Sequence, residues 1–248
     1  MPQLSRTGSR NITSFGRGKG FVFQATIAAD VNNYNLRTAA VAAGWNGVLP
    51  LVARVTINSS VVVGSANTAS YAFDTGTTAY PTGSRLFLTV NGYIIGAGGN
   101  GASGNGAANL RPGDPAGPAL RVNHGTFLTN NNIIGGGGGG SGREGYGGSN
   151  GGAGAGGAGR IAGVSVGSGA TTAKNGSLLV GGTTGYGVIN GRTTQPDPNQ
   201  YATWGSTLGQ DGNVGGYGGL GGTGGNAIVG TSNITYVVTG RIHGRTVA

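Results

Sequence analysis

The sequence predicts a small mixed α/β or mainly β N-terminal domain, followed by a glycine-rich polyglycine-II helix bundle with protruding loops and little α-helix. Three observations lead there. Glycine supplies 58 of 248 residues, divided as 9 in residues 1–90, 47 in residues 91–230 and 2 in residues 231–248; ordinary chains carry about 7%. Hydrophobic residues reach 36% while charged ones are only 8%, which separates the chain from charge-rich, core-poor disordered sequences. A strand–turn–stub pattern also recurs three times beside the glycine blocks. The expected organisation is a basic arm over 1–20, an N-terminal domain over 21–90, and a glycine-rich domain over 91–248 closed by the segment 231–248.

Taken in order, residues 1–20 hold Arg6, Arg10, Arg17 and Lys19 with no acid and with three late glycines, a flexible, solvated arm. Phe21 to Ile27 is β-branched and aromatic enough for a strand. Asn35 is placed to cap a short alanine-rich helix, Leu36 to Ala43, that Gly44 stops. Leu51 to Ile57 and Val61 to Val63 read as strands turned at Asn58-Ser59-Ser60, and Leu86 to Val90 as another.

The repeat begins at that last strand. Leu86 to Gly96 aligns without gaps on Ile234 to Gly244, with Val90/Val238, Gly92/Gly240, Ile94/Ile242 and Gly96/Gly244 coincident, and Phe127 to Gly135 is a third, shorter copy. Each is a strand, a small-residue turn and an isoleucine stub ending in glycine. Glycine blocks follow at 96–106, 135–140, 145–159, 181–187 and 215–225. Ordering glycine is costly in backbone entropy, about 1–2 kcal/mol per residue, and returns no side-chain burial. Such blocks are linkers unless the backbone itself packs. Extended helices with three residues per turn do pack side by side when glycine lines the contacts. The Gly-X-Y register of collagen breaks within every block, so a bundle of short polyglycine-II strands, edged by Ile94-Ile95 and Ile133-Ile134, is the expected solution.

The segments Asn91 to Gly99, Asn132-Ile133-Ile134 with its six glycines, and Gly225 to Gly230 with Ile234-Thr235-Tyr236, Gly240 and Gly244 resemble the glycine-rich adhesins at the tips of bacteriophage long tail fibres, the T-even kind. The resemblance covers roughly 86–248. It implies a virion protein of the tail or tail-fibre tip, made in the host cytoplasm without a signal peptide. It implies a layered polyglycine-II sandwich whose variable loops contact a bacterial surface receptor, an outer-membrane protein or lipopolysaccharide. Residues 1–90 would attach to another phage tail or tail-fibre protein. Carried onto this chain, the receptor face falls on the non-glycine interruptions: Arg111 in Asn109 to Pro115; Arg143 and Tyr146; Tyr186; Arg192, Tyr201 and Trp204 within Val188 to Trp204; and Tyr217 near Gln210 to Asn213. Tyr, Trp and Arg bury large areas at low entropy cost. The competing reading is that Tyr201 and Trp204 pack the base of their own loop, while Pro196 and Pro198 set its shape.

Other chemistry fits less well. The chain has no cysteine, hence no thiol nucleophile and no Cys-ligated zinc. No catalytic residue, cofactor or metal site is expected. Gly96 to Gly101 satisfies G-x-G-x-x-G, yet glycine at one residue in three makes the match trivial and no helix pattern follows it. The six acids, Asp30, Asp74, Asp114, Glu144, Asp197 and Asp211, are scattered singly, and His124 and His243 have no clustered acid beside them, so neither a glycosidase pair nor a metal centre emerges. The start lacks a signal-peptide apolar run, and no stretch has the ~20 apolar residues of a membrane span. The net charge of +9 admits a glycine/arginine-rich nucleic-acid binder, but residues 91–230 hold six basic against four acidic residues, and no RNA-binding motif is present. A purely structural glycine-rich protein is the remaining alternative, and it would be expected to keep a stricter period.

Overall fold

In a computed structural model, the structure describes residues 20–102, 112–142, 156–163, 175–181, 188–189, 192–193, 206–214 and 220–248. Strands follow one another in triplets. The first triplet is β1 (Phe21–Ile27), β2 (Val31–Asn32) and β3 (Tyr34–Asn35), and helix α1 (Leu36–Ala42) leads from it to β4 (Leu51–Ile57), β5 (Val62–Gly64) and β6 (Phe73–Asp74). The third is β7 (Arg85–Val90), β8 (Tyr93–Ile95) and β9 (Leu120–Arg121). The fourth is β10 (Thr126–Asn130), β11 (Ile133–Gly135) and, after a short antiparallel pair β12 (Val188–Ile189) and β13 (Arg192–Thr193), β14 (Asn226–Val229). The last is β15 (Ile234–Val238), β16 (Arg241–His243) and β17 (Arg245–Val247). Among the described residues, successive triplets stack into three five-stranded parallel sheets, ordered β1-β4-β7-β10-β15, β2-β5-β8-β11-β16 and β3-β6-β9-β14-β17. This is a five-coil, three-faced β-solenoid, in which each coil buries its inner face against its neighbours.

The expected boundary near Asn91 lies within the third coil, between β7 and β8, and all three sheets run through it. The early strands and those of the closing segment 231–248 thus belong to the same sheets. The three copies of the repeat are spatial neighbours. Phe87 stands beside Phe127, and Ile94, Ile134 and Ile242 are in register. The gapless alignment on the last copy holds at Ile234 and Tyr236, then slips by one, because a bulge places Val238 opposite Thr129.

Local sequence explains most elements. The Asn35 side chain accepts from the Thr38 amide at 2.9 Å and caps α1, and Gly44, at φ +102°, carries the chain away from its end. The first sheet alternates: Leu86, Leu88 and Val90 are buried inward, and Phe87 lies outside, stacked on Phe127 at 5.0 Å with Arg54 over its ring at 4.6 Å. The second sheet reads as unbroken apolar stubs because both of its faces are covered. Val63, Ile94 and Ile134 face the solenoid core, while Val62, Ile95 and Ile133 pack outside against Ala158 and Leu208. Replacing Ile134 by Ala is expected to cost about 2–5 kcal/mol in denaturant unfolding, since its site is enclosed by packed neighbours. In the third sheet Arg121 forms a bidentate pair with Asp74, at 2.7 and 2.5 Å, and lies over the ring of Tyr71. Tyr34, beside Phe73 in that sheet, has its hydroxyl pKa raised to about 12 by burial.

The glycine-rich segments are insertions into one corner of this solenoid, between the second and third sheets. One leaves after β8 and returns at β9; the other leaves after β11 and returns at β14. Their described parts form a lattice held by backbone hydrogen bonds. Strand 135–142 is central. It accepts from Gly96, Gly99 and Ala102 through Gly135, Gly138 and Ser141, and from Gly225 and Gly222 through Gly137 and Gly140. It donates from Gly137 and Gly140 to Gly117 and Asp114, from Gly138 to Ala158, and from Gly139 to Gln210. Around it a ring closes: 112–119 bonds to 96–102 and to 220–226, 206–214 to 220–225, and 156–163 to both 206 and 96–102. The step of three residues between bonds to one neighbour is that of an extended helix with three residues per turn.

Candidate functional site

The lattice has a near end at the sheets and a far end away from them. At the near end Gly96 bonds Gly135, Gly136 donates to the His243 carbonyl, and Ala119 donates to that of Asn226. At the far end, among the described residues, the last bonds are Ala102 to Ser141, Gly142 to Asn213, and Gly113 to Leu220. These far-end residues flank the interruptions singled out in the sequence. Arg111 follows 102 and precedes 112; Arg143 and Tyr146 follow 142; Tyr217 lies between 214 and 220. The folded backbone therefore gathers the described residues that border three of those interruptions at one end of one lattice. Arg111, Arg143, Tyr146, Tyr186, Tyr201, Trp204 and Tyr217 themselves lie outside the described residues. Of Arg192, the structure gives only its backbone, in β13 opposite Ile189.

Glycine makes this platform rigid by removing Cβ atoms where backbones touch. A Cβ on Gly136 would meet the Gly225 carbonyl, on Gly137 that of Ala97, on Gly138 that of Ser206, on Gly139 that of Gly222, and on Gly140 that of Asn100. The lattice is also fixed to the solenoid by side chains. Arg160 crosses Gly64, where a Cβ would collide with it, and reaches Asp30 at 2.8 Å and Asn32 at 3.3 Å. Leu208 seats on Gly135 in the same manner. Asp211 ties two strands to the last coil, accepting from the Gly224 amide at 2.7 Å and pairing with Arg245 at 2.8 Å. Neither Arg160 nor Leu208 carries a signal in the sequence; glycine at 64 and at 135 leaves the space each of them crosses.

The scattered acids have structural partners: Asp30 with Arg160, Asp74 with Arg121, Asp211 with Arg245, and Asp114 with the Asn100 amide at 3.1 Å. Glu144 and Asp197 lie outside the described residues. Gly96 to Gly101 continues from β8 as a lattice strand rather than opening a helix. Among the described residues, no group of three His, Cys, Asp or Glu is placed to hold a metal ion, and no helix is long and apolar enough to cross a membrane. What the arrangement offers chemically is a packed backbone scaffold rather than a cluster of reactive groups.

The sequence matches the family model of the phage tail fibre adhesin Gp38 over residues 22–247. The chain belongs to this family. Membership makes it a tail-fibre adhesin of a phage virion and agrees with the resemblance carried by the glycine blocks and their stubs. The structure is similar to a chain in the crystal structure of the gp37-gp38 adhesin tip complex of the bacteriophage S16 long tail fiber, with a TM-score of 0.61 and 22% identity, covering 91% of this chain and 82% of that one. At that identity the likeness speaks for the fold. No curated protein sequence matches the chain. An adhesin family and a scaffold-like architecture point to a binding rather than an enzymatic role.

Proposed function

We propose that this chain is the receptor-binding tip of its tail fibre, with one surface for the fibre and another for the host. The interruptions bordered by the far end of the glycine lattice, together with the stretch Val188 to Trp204 that leads into its strand 206–214, contact a bacterial outer-membrane protein or lipopolysaccharide. The attachment expected of residues 1–90 belongs, on this reading, to the solenoid that those residues build together with the later strands. The observation that carries the reading is the unequal finish of the two solenoid ends. In the inward columns of the first sheet, Phe23 and Ile27 of the first coil are 7% and 8% exposed, whereas Tyr236 of the last coil, opposite Leu128, is 39% exposed, and its neighbours Val237 and Val238 are 61% and 42% exposed. Strands β15, β16 and β17 end their sheets here, as β1, β2 and β3 do at the other side, and at this end the edge of the first sheet carries the exposed apolar run Tyr236 to Val238. Left bare, such an edge invites association. A fibre protein of the gp37 kind, which shares a tip complex with gp38 in bacteriophage S16, is the occupant this end fits.

Two measurements test the two surfaces separately. Tyr236→Asp combined with Val238→Asp is expected to abolish co-purification with the fibre tip, with the isolated chain's melting temperature nearly unchanged; normal co-purification would place the contact elsewhere. Binding of the purified chain to intact bacteria is expected, with loss on either porin-deleted or lipopolysaccharide-truncated cells. Equal binding to all three would remove both receptor classes.

A further inference from the structure

At the corner between the third and first sheets, segments from three coils meet around one imidazole. Trp45, after α1, is buried and donates its indole N–H to the Leu49 carbonyl at 2.8 Å. Tyr80, from the loop between β6 and β7, stacks on Trp45 at 5.4 Å and on His124, between β9 and β10, at 3.9 Å. The Arg37 guanidinium of α1 lies over Trp45 at 5.0 Å and over Tyr80 at 5.4 Å. Tyr80 donates its hydroxyl to the Thr75 carbonyl at 2.5 Å. His124 is 7% exposed, and its Nδ1 lies 3.3 Å from the Asn123 side-chain oxygen. That oxygen also accepts from the Thr75 hydroxyl, which gives the Nδ1 position the proton and leaves Nε2 bare. Nε2 is the one buried side-chain nitrogen or oxygen among the described residues without a hydrogen-bond partner.

We propose that His124 is an acid release for this corner: a proton taken up on Nε2 detaches α1 and the 75–84 loop from the solenoid while the sheets stay folded. The neutral ring suits its place, because an apolar, stacked setting asks nothing of a bare nitrogen lone pair beyond its desolvation. An imidazolium there would be a buried charge with an N–H and no acceptor. The charged groups on the packed elements offer no rescue. Arg37 lies over Tyr80 with the same sign of charge, and the Asp74 carboxylate is committed to Arg121 and to the Gly76 amide.

The direction of the pH effect follows. Burial holds the His124 pKa down at about 4, against 6.5 for an unhindered imidazole. A lowered folded pKa means that the released state binds the proton first. The histidine's contribution is therefore intact above pH 6.5 and is lost as pH falls from there through about 4, by which point the release equilibrium has moved about a hundredfold. The full-length chain should show this in hydrogen exchange and in unfolding between pH 8 and 4.5. In the parent, amide protection across 37–45 and 76–83 is expected to fall at the acid end, while 126–135 keeps its protection. In His124→Phe and His124→Gln the corner should stay protected and the pH slope of stability should vanish; His243→Gln, altering the other histidine, should behave like the parent. Uniform loss of protection, or an unchanged slope in the His124 variants, would overturn the proposal. A direct readout needs no variant: half-protonation of the His124 ring by NMR is expected near pH 4, and a value near 6.5 would also overturn it.

Discussion

Gly137→Val should leave the glycine lattice unable to form. Gly137 is at the centre of strand 135–142. It donates to Gly117 and accepts from Gly225, each across one backbone-to-backbone contact. A Cβ at this position would sit on the Ala97 carbonyl oxygen, and backbone cannot swing aside as a flexible side chain can. Overpacking an ordinary core costs about 1–3 kcal/mol because side chains repack; here strand 96–102 would have to separate from 135–142 and give up its bonds. The neighbours offer no outward-facing escape, since Gly136, Gly138, Gly139 and Gly140 are blocked by carbonyls too. Even Gly137→Ala should cost more than about 3 kcal/mol, beyond the usual range for a single added methyl. Val48→Ala, at a side chain that is 74% exposed, should stay within about 0.5 kcal/mol. Thermal unfolding followed by circular dichroism decides it, and equal midpoints for Gly137→Val and the parent would contradict the lattice.

How much of this was readable in the sequence depends on the range of the interaction. Capping is local, so Asn35, the helix after it and Gly44 were placed from a few residues. The strand–stub repeat was readable because each copy keeps its own spacing, and those copies turned out to be hydrogen-bonded neighbours. The solenoid itself was not. Its first two coils carry the same inward columns, Ile27 beside Ile57 and Val31 beside Val63, but three residues separate Ile27 from Val31 and five separate Ile57 from Val63. With the corners unequal, the early copies fell out of alignment with the later ones, and a break appeared at residue 90 that the sheets do not make. The role of Arg160 was likewise hidden. Its partners Asp30 and Asn32 lie 130 and 128 positions away, and only the absence of a Cβ at Gly64 makes room for its stem. For the receptor face, the sequence named loops and the fold supplied their roots at 102, 112, 142, 214 and 220.

The same division between root and loop sets the effect expected of Tyr201→Ala combined with Trp204→Ala: loss of adsorption to the host by a protein that still folds and still enters the particle. The stretch Val188 to Trp204 is the longest interruption rich in recognition residues, with Arg192 and the stiffening Pro196 and Pro198 alongside the two aromatics. A stiffened loop gives up less entropy on binding, and truncating a buried aromatic at such a contact costs about 2 kcal/mol or more. Two together imply at least a 500-fold fall in affinity, at about 1.4 kcal/mol per tenfold. Stability should hold, because the strand that follows this stretch is anchored independently: Ser206 bonds the Gly139 and Gln210 carbonyls at 2.8 and 2.7 Å, and Leu208 is buried against the second sheet. The competing reading, in which Tyr201 and Trp204 pack their own loop base, predicts the reverse, a lowered melting temperature with adsorption lost only in proportion to the unfolded fraction. Adsorption rate and melting temperature measured on the same preparation separate the two. If the double variant adsorbs normally while Arg111→Ala, Arg143→Ala or Tyr146→Ala does not, recognition sits on the loops rooted at 102–112 or 142. If no loop substitution changes adsorption, the receptor-binding role of the lattice end is wrong, and the chain's part in the fibre is to join and stiffen it.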